Sequence, residues 1–339
     1  MVEKNNHHFV PQFYLKKFSN NDKSVGMYLF RDNKYIVHGS IKDNAYRKHL
    51  YGEDTEIEDA LATYEGKWQS IISNIIQTKS INMSEEDYYL LLSFILVSEA
   101  RTAMVADHNN KEINILADIA CKMKHNKNNP IDIEYKIPNL VPMQIAIEAT
   151  PILLDLDAIL IINESNRGFI TSDNPVVRYN QFFIHRNYFL NHGLGHMGIQ
   201  IFLPLNPEIC LCIYDSVMYS NVTDSVIKIK SGSQINELNK LFLHNAYETI
   251  FFNNSMKESL IKSLAKYRTN KDKTDVPVLG GNNGFLIASC HPSVKERIKL
   301  DFFTINPGLI NCTLPNHMGG PQRPYAEEFF KQKMKKAGE

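Results

Sequence analysis

The spacing of apolar residues changes once along this chain, near residue 155, and that change restricts the fold more than any other feature. Before it, apolar residues recur every three or four positions over about 55–77 and from Ser84 to about His108. This period predicts amphipathic helices. After it, apolar runs of four to six residues alternate with turn residues, which predicts strands. Helical spacing returns over about 233–267.

This order predicts an α+β fold. We expect an N-terminal helical layer, about residues 55–154, to pack on a mainly antiparallel β-sheet within a sheet-rich part, about residues 158–305, with further helices near the C-terminus. Residues 1–318 would form a single domain, which a chain of 339 residues can accommodate. Residues 319–339 are Pro-rich and then basic, and we expect a mobile basic tail there.

Charge and composition restrict the partners. Lys plus Arg equals Asp plus Glu, 37 each, which argues against a general nucleic-acid coat or a membrane-surface binder but leaves a local basic groove open. The first residues lack the apolar core of a signal peptide, and no run approaches the roughly 20 apolar residues of a membrane span. We therefore expect a cytoplasmic protein.

The five cysteines are scattered and lack paired C-x-x-C spacing, which indicates neither a zinc ribbon nor a disulfide framework. Cys210 and Cys212 alternate within an apolar run, so we expect two buried thiols on one face of a strand.

The adjacent pair His7-His8 is the most unusual local feature. On an extended segment neighbouring side chains point in opposite directions, so at most one histidine is expected to face a site. Imidazole can bind a metal ion or act as a general base near neutral pH. The alternative is that one histidine caps a helix while the other faces solvent.

Several segments together resemble a widespread, mostly bacterial family known as domain of unknown function 4238. The resemblance covers roughly residues 5–255. Its elements are an opening His-His-Phe-Val-Pro-Gln-Phe-Tyr-Leu-Lys-Lys-Phe at 7–18, Arg101-Thr102, a Ser-Asp-Asn-Pro turn within 169–176, Leu-Pro-Leu-Asn-Pro at 203–207 with Asn206 where the family usually has Ser, and the pair Asn239 and Ala246. The family name carries no activity, so the resemblance implies fold relatives and a site rather than a reaction.

Arg101 lies in a predicted helix whose inner face is otherwise apolar. A buried guanidinium without a partner is costly, so we expect Arg101 to pair with a group from another segment, with Asp173 and Glu65 as candidates. Glu65 interrupts an apolar stripe and is expected to point inward. Arg101 either joins layers of the structure or binds an anion such as phosphate.

Ser172, Asp173 and Asn174 follow a predicted strand and precede a proline. They either form a plain Asx-turn or present their side chains to a cleft. Aspartate beside histidine is a ligand set for Mg²⁺, Mn²⁺ or Zn²⁺, so His8 and Asp173 are candidate ligands of a divalent metal ion.

Three hypotheses about function follow. The first is a metal-assisted phosphodiester hydrolase of nuclease type, with His7, His8 and Asp173 as catalytic residues, and with Arg101, Ser172 and Asn174 binding a nucleic acid or nucleotide substrate. The second is a non-enzymatic module that binds or senses a nucleotide or another anion. The third is a structural or interaction protein in which these residues form a buried polar network.

Overall fold

The computed structural model describes residues 6–53, 56–123, 133–183, 192–220, 225–268, 278–281, 284–287, 294, 296–298, 300–309 and 321–337. The helices in these residues are α1 (Gln12–Lys16), α2 (Glu56–Thr78), α3 (Glu85–Ala100), α4 (Ala103–Met123), α5 (Leu140–Ala149), α6 (Gly232–Asn245), α7 (Glu258–Ala265) and α8 (Pro324–Ala337). This composition of helices and strands confirms the predicted α+β class.

The first long helices form where the apolar spacing predicts them. α2 buries one stripe of apolar residues, including Trp68 and Ile72. Three acidic residues in its first turn stabilise the helix because the N-terminal end of the helix dipole is positive. α3 begins after Ser84, whose hydroxyl accepts a hydrogen bond from the backbone N–H of Asp87 at 3.1 Å. Ser84 is therefore the N-cap that the sequence indicates.

The predicted helix from Ser84 to about His108 is interrupted in the structure. α3 ends at Ala100, Arg101 is its C-cap with φ −87° and ψ 1°, and α4 starts at Ala103. Asn139 fills the break, because its side-chain amide donates to the carbonyls of Ala100 (2.9 Å) and Thr102 (3.0 Å). A distant residue therefore satisfies backbone groups that a continuous helix would have paired internally.

The strands form two main sheets. The larger has the order β10 (Val226–Ile229), β5 (Asp157–Asn163), β9 (Ile209–Tyr214), β8 (Gln200–Asn206), β7 (Val177–Tyr179), and it is antiparallel except for the parallel pair β10–β5. The second has the order β3 (Lys34–Ser40), β2 (Ser24–Leu29), β11 (Thr249–Phe252), β6 (Thr171–Ser172) and is antiparallel throughout. Two further pairs are β1 (Asn6–His8) with β4 (Tyr46–Lys48) and β12 (Val278–Gly281) with β13 (Gly284–Ile287).

Strand alternation divides the larger sheet between two hydrophobic cores. In β9, Leu211 and its same-face neighbours belong to a core shared with α2 and α3, whereas Cys210 and Cys212 belong to a core shared with α6. Both faces of this sheet are therefore covered. Cys210 and Cys212 are buried free thiols on one strand face, as predicted, and burial raises their pKa values.

Residues 319–339, where the sequence predicts a mobile basic tail, contain α8, which contacts the rest of the described structure through Arg323. Arg323 is buried, and it donates to both oxygens of Asp155 (2.8 and 3.0 Å) and to the carbonyls of Leu194 (2.6 Å) and Ile152 (2.7 Å). The Pro-rich composition gave no sign of this anchor.

Within the described ranges, no single helix has the length and apolar character needed to cross a membrane. Glu85–Ala100 and Ala103–Cys121 meet the length and composition criteria only as a pair, with a bend of 55° between them.

Candidate functional site

Arg101 is the centre of the first group of predicted site residues. Its side chain is buried, and its Nη1 donates to Glu65 Oε1 at 2.7 Å, Nη2 to the backbone carbonyl of His8 at 2.6 Å, and Nε to the hydroxyl of Tyr51 at 3.0 Å. This confirms that Arg101 pairs with another segment, with Glu65 rather than Asp173 as its partner. The guanidinium thereby joins the opening segment, α2 and the end of α3.

The two histidines point in opposite directions, as their strand geometry predicts. His7 is buried; its Nδ1 accepts the backbone N–H of Tyr51 at 2.9 Å, and its ring stacks on the Tyr51 ring with centroids 5.3 Å apart. His8 is half-buried and its Nε2 donates to the carbonyl of Lys42 at 3.1 Å. Burial lowers the pKa of His8, which favours the neutral imidazole at pH 7.

Asp173 accepts three backbone hydrogen bonds at the start of β11. Its Oδ1 accepts from Tyr247 N–H at 2.8 Å, and its Oδ2 accepts from Glu248 N–H at 2.6 Å and Thr249 N–H at 2.9 Å. Burial raises the pKa of this carboxyl to about 6, and the three N–H groups oppose that shift. The geometry resembles a cap that fixes the entry of β11.

Ser172 and Asn174 also bond mainly to backbone. The Ser172 hydroxyl donates to the carbonyl of Asn174 at 2.7 Å and accepts its N–H at 3.2 Å, and the Asn174 amide donates to the carbonyl of Asn245 at 3.2 Å. All three residues are buried. The turn of residues 172–175 is therefore held by local bonds and by α6, the arrangement of a structural turn.

The predicted site residues thus fall into two groups: His7, His8, Glu65 and Arg101 around Tyr51, and Ser172, Asp173 and Asn174 at β11. A chain of other residues connects them. Tyr247, which donates to Asp173 through its backbone, donates its hydroxyl to Asp107 at 2.8 Å. Asp107 in turn forms a bidentate pair with Arg47 (2.5 and 2.7 Å), and Arg47 is the strand partner of His7.

A metal site was expected from His8 and Asp173. Among the residues that the structure describes, no group of three or more His, Cys, Asp or Glu side chains is arranged to hold a metal ion. Both oxygens of Asp173 already accept backbone N–H groups. The described donors therefore do not fit a divalent ion shared by these two residues.

The segments of the resemblance do meet, at a different place. Tyr14 of the opening segment shares a 2.7 Å hydrogen bond with the Thr171 hydroxyl and donates to the carbonyl of Pro204 at 2.6 Å. This buried contact joins the opening helix α1 to two later signature segments, 169–176 and 203–207. Residues in or next to these segments in sequence, Lys17, Gly168 and Asn206, line a cavity of about 930 Å³, which we call the basic cavity.

The basic cavity is lined mainly by polar residues. Among the described lining residues, the cations are Lys17, Arg167 and Lys257, and the one acid is Glu208. The rest of the lining consists of small, amide and hydroxyl residues with a few apolar ones: Asn166, Gly168, Asn206, Pro207, Asn236, Asn253, Ser255, Met256, Ser259, Leu260 and Ser263. This lining provides positive charge together with neutral hydrogen-bonding groups, which suits an anionic, polar ligand.

Some of these groups have partners within the protein and others are open. Lys17 Nζ donates to the Ser73 hydroxyl at 2.8 Å, which fixes its side chain at the cavity edge. The Oδ1 atom of Asn236 is buried without a hydrogen-bond partner among the described residues. A buried amide oxygen of this kind is costly unless a donor reaches it.

Sequence reasoning missed the basic cavity. Lys17 and Asn206 lie inside the matched segments, and Gly168 immediately precedes another, yet solvated lysines and turn asparagines are common at such positions. Arg167 and Lys257 carry no local signal. Only the fold brings these side chains together, from α1, the β8–β9 turn and the start of α7.

A family profile described as "Protein of unknown function (DUF4238)" matches residues 6–256 of the chain. No curated protein matches the chain, and no solved structure does. The matched range includes every predicted site residue and all but four of the residues that line the basic cavity, namely Lys257, Ser259, Leu260 and Ser263.

Proposed function

The chain belongs to the DUF4238 family, whose description assigns no activity, and from the geometry we propose that it binds a phosphate-bearing ligand of nucleotide type in the basic cavity. The observation that carries the proposal is the set of three cations, Lys17, Arg167 and Lys257, around one polar cavity in a chain of zero net charge. This is the local basic surface that the overall charge balance leaves open.

The size and lining of the cavity support this ligand class. Small-molecule sites usually enclose about 300–1,000 Å³, and the basic cavity of about 930 Å³ lies in that range. Arg167 can bind a phosphate in bidentate fashion, while lysines act as point charges. The neighbouring asparagine and serine side chains can bond to ribose hydroxyls and base edges, and Met256 and Leu260 offer an apolar surface to the base.

The test is equilibrium binding of ATP, adenosine and a short single-stranded oligonucleotide to the full chain, measured by titration calorimetry. We expect ATP to bind at least about tenfold more tightly than adenosine, because the phosphates meet the three cations. Arg167→Gln should weaken ATP at least about tenfold. Arg31→Gln is the matched control, since Arg31 is exposed and lies outside the cavity lining.

Three outcomes are decisive. If the oligonucleotide bound more tightly than ATP, and Arg167→Gln abolished that binding, the basic cavity would still be the site but its ligand would be a nucleic acid. Equal affinity for ATP and adenosine would show that phosphate is not recognised. If neither ATP nor the oligonucleotide bound, the proposal would be wrong.

Phosphodiester hydrolysis is the second candidate function, and one observation favours it. His8 is half-buried and the lowered pKa of its imidazole leaves the ring neutral at pH 7, the form that accepts a proton in general base catalysis. Because the described donors do not fit a shared metal ion, no metal-dependent step is assigned to His8 and Asp173.

Hydrolysis is tested by incubating the purified chain with RNA, single-stranded DNA and duplex DNA, with and without Mg²⁺, Mn²⁺ or Zn²⁺. Cleavage that His8→Ala abolishes, and that the exposed-histidine control His38→Ala retains, would support it. Cleavage that is equal in all three proteins would indicate a contaminant. Stable retention of nucleotide without cleavage would leave binding as the function.

A further inference from the structure

A second cavity lies between α4 and α5. It encloses about 450 Å³ and shares no residue with the basic cavity. Its lining is mostly apolar: Leu96, Ala100, Val105, Leu116, Tyr135, Ile137, Pro138, Val141, Pro142, Ile145, Ala146, Ala149 and Leu194. We call it the apolar cleft.

The rim of the apolar cleft is unusually exposed for aliphatic residues. Val141 and Ile145 of α5 are 56% and 60% exposed, and Leu116 and Tyr135 across the cleft are each 44% exposed. α5 buries only Met143 and Ala146. Grouped apolar side chains that stay in water on a folded protein mark a binding surface more often than single exposed residues do.

Charged groups are concentrated at the floor of the cleft. Glu99 and Arg178 form a nearly buried ion pair, in which Arg178 Nε donates to Glu99 Oε2 at 3.0 Å, and the buried His108 lies in the same lining. Glu112 also lines the cleft, and Arg178, the one guanidinium among the lining residues that the structure describes, is bonded to Glu99. The lining therefore carries two carboxylates for one guanidinium, which favours a cationic ligand.

We propose that the apolar cleft binds an apolar small molecule that carries one basic amine. The volume suits a small molecule rather than a folded partner. The aliphatic rim would cover the hydrocarbon part of the ligand, and Glu112 would pair with its ammonium group. Tyr135 at the rim offers an aromatic face to the same cation.

The experiment compares three probes that share one hydrocarbon frame: 4-phenylbutylamine, 4-phenylbutanol and 4-phenylbutyric acid. Binding to the full chain is measured by ligand-observed NMR titration. We expect the amine to bind about three- to tenfold more tightly than the alcohol and the acid to bind most weakly, because a partly buried charge pair contributes on this order. Glu112→Gln should bring the amine to the affinity of the alcohol.

Two variants of α5 locate the site. Ile145→Arg places a charge in the cleft and should abolish binding of the amine. Ile147→Arg makes the same change two residues away at a side chain that is 51% exposed and outside the lining, so it should leave the affinity within about twofold of wild type. Both positions are exposed, so both variants should fold.

Several results would overturn the proposal: binding of the acid as tight as that of the amine, equal losses in Ile145→Arg and Ile147→Arg, an amine preference that persists in Glu112→Gln, or no binding of any probe. None of these results bears on the basic cavity, because the two linings share no residue.

Discussion

Arg101 directs its guanidinium to three separate parts of the chain, namely Glu65, Tyr51 and the carbonyl of His8. Fork geometry allows this, whereas a lysine ammonium could not bond in the same three directions. Sequence reasoning predicted that Arg101 has a partner, because a lone arginine in an apolar helix requires one, and it named Glu65 and Asp173 as candidates; the structure shows Glu65. The sequence could not decide whether Arg101 binds an anion or joins layers of the structure, because this depends on whether any N–H group of its guanidinium is left free to bind a ligand.

Arg101→Ala should lower the free energy of unfolding by about 3–5 kcal/mol, the range for breaking a buried charge pair. The loss removes the donor to Glu65 and to the Tyr51 hydroxyl, and it leaves the His8 carbonyl with only the Tyr51 hydroxyl as a side-chain donor among the described residues. Urea unfolding measures it, and Arg31→Ala, which removes an exposed arginine, should change the value by less than about 0.5 kcal/mol. A change for Arg101→Ala as small as for Arg31→Ala would place Arg101 outside any structural network.

Asp173 gives a prediction about pH. Its folded-state pKa of about 6 lies above the ordinary value of 3.8, so the folded protein holds this proton more tightly than the unfolded chain does. Its contribution to stability is therefore complete below about pH 4 and is lost as pH rises through 6. Asp173→Asn does not titrate.

The unfolding free energy of wild type minus that of Asp173→Asn should consequently fall by about 2–3 kcal/mol between pH 4 and pH 7, from about 1.4 kcal/mol for each pKa unit. Urea unfolding at several pH values provides the measurement. If the unfolding free energy of wild type instead rose with pH relative to that of Asp173→Asn, the three N–H bonds would outweigh burial and hold the pKa of Asp173 below its ordinary value.

At the scale of elements, the buried side chain of Arg323 anchors the start of α8. It bonds to Asp155 and to the carbonyls of Ile152 and Leu194, next to a backbone bond from Arg323 N–H to the Gly195 carbonyl (2.7 Å) and to the buried Ala326 of the helix. Several residues of the helix itself, such as Met334, which is 76% exposed, contribute little burial. We therefore expect docking of α8 to fail when the anchor is removed.

Arg323→Ala should speed amide hydrogen exchange in residues 324–337 by at least about tenfold, because loss of a buried pair of this kind costs several kcal/mol of local stability. Lys333→Ala is the control, since its ion pair with Glu148 is solvent-exposed and should affect exchange by less than about twofold. Unchanged exchange in Arg323→Ala would show that other contacts hold the helix.

Some elements could be predicted from the sequence and others could not. The apolar spacing was enough to predict α2 and β9, because α2 buries one stripe and β9 one face that the sequence displays directly. The break between α3 and α4 was not predictable, because Asn139, more than 35 residues away, pairs the backbone there. α8 was missed for the same reason: its anchor has its partners near residues 152–155 and 194–196.

At the scale of the whole molecule, the hypothesis that places all the predicted residues in one site leads to two findings. Tyr14 brings the opening segment against the segments 169–176 and 203–207 in the core, and residues in or next to these segments in sequence line the basic cavity. His7, His8 and Arg101, however, form a group apart from Ser172, Asp173 and Asn174, and the Arg47–Asp107–Tyr247 chain lies between the two groups. Residue type alone could not distinguish polar residues that close a network from those that line a cavity.

The central claim is that the cations of the basic cavity bind the ligand's phosphates, and α7 offers a matched pair of lysines for testing it. Lys257, the N-cap residue of α7, lines the cavity, whereas Lys262 within α7 is exposed and pairs with Glu258. The decisive measurement is the dissociation constant of ATP for Lys257→Gln and Lys262→Gln side by side. Both variants lose one positive charge, but we predict at least about tenfold weaker binding for Lys257→Gln and a change within about twofold for Lys262→Gln. Equal affinities in the two variants would contradict the claim.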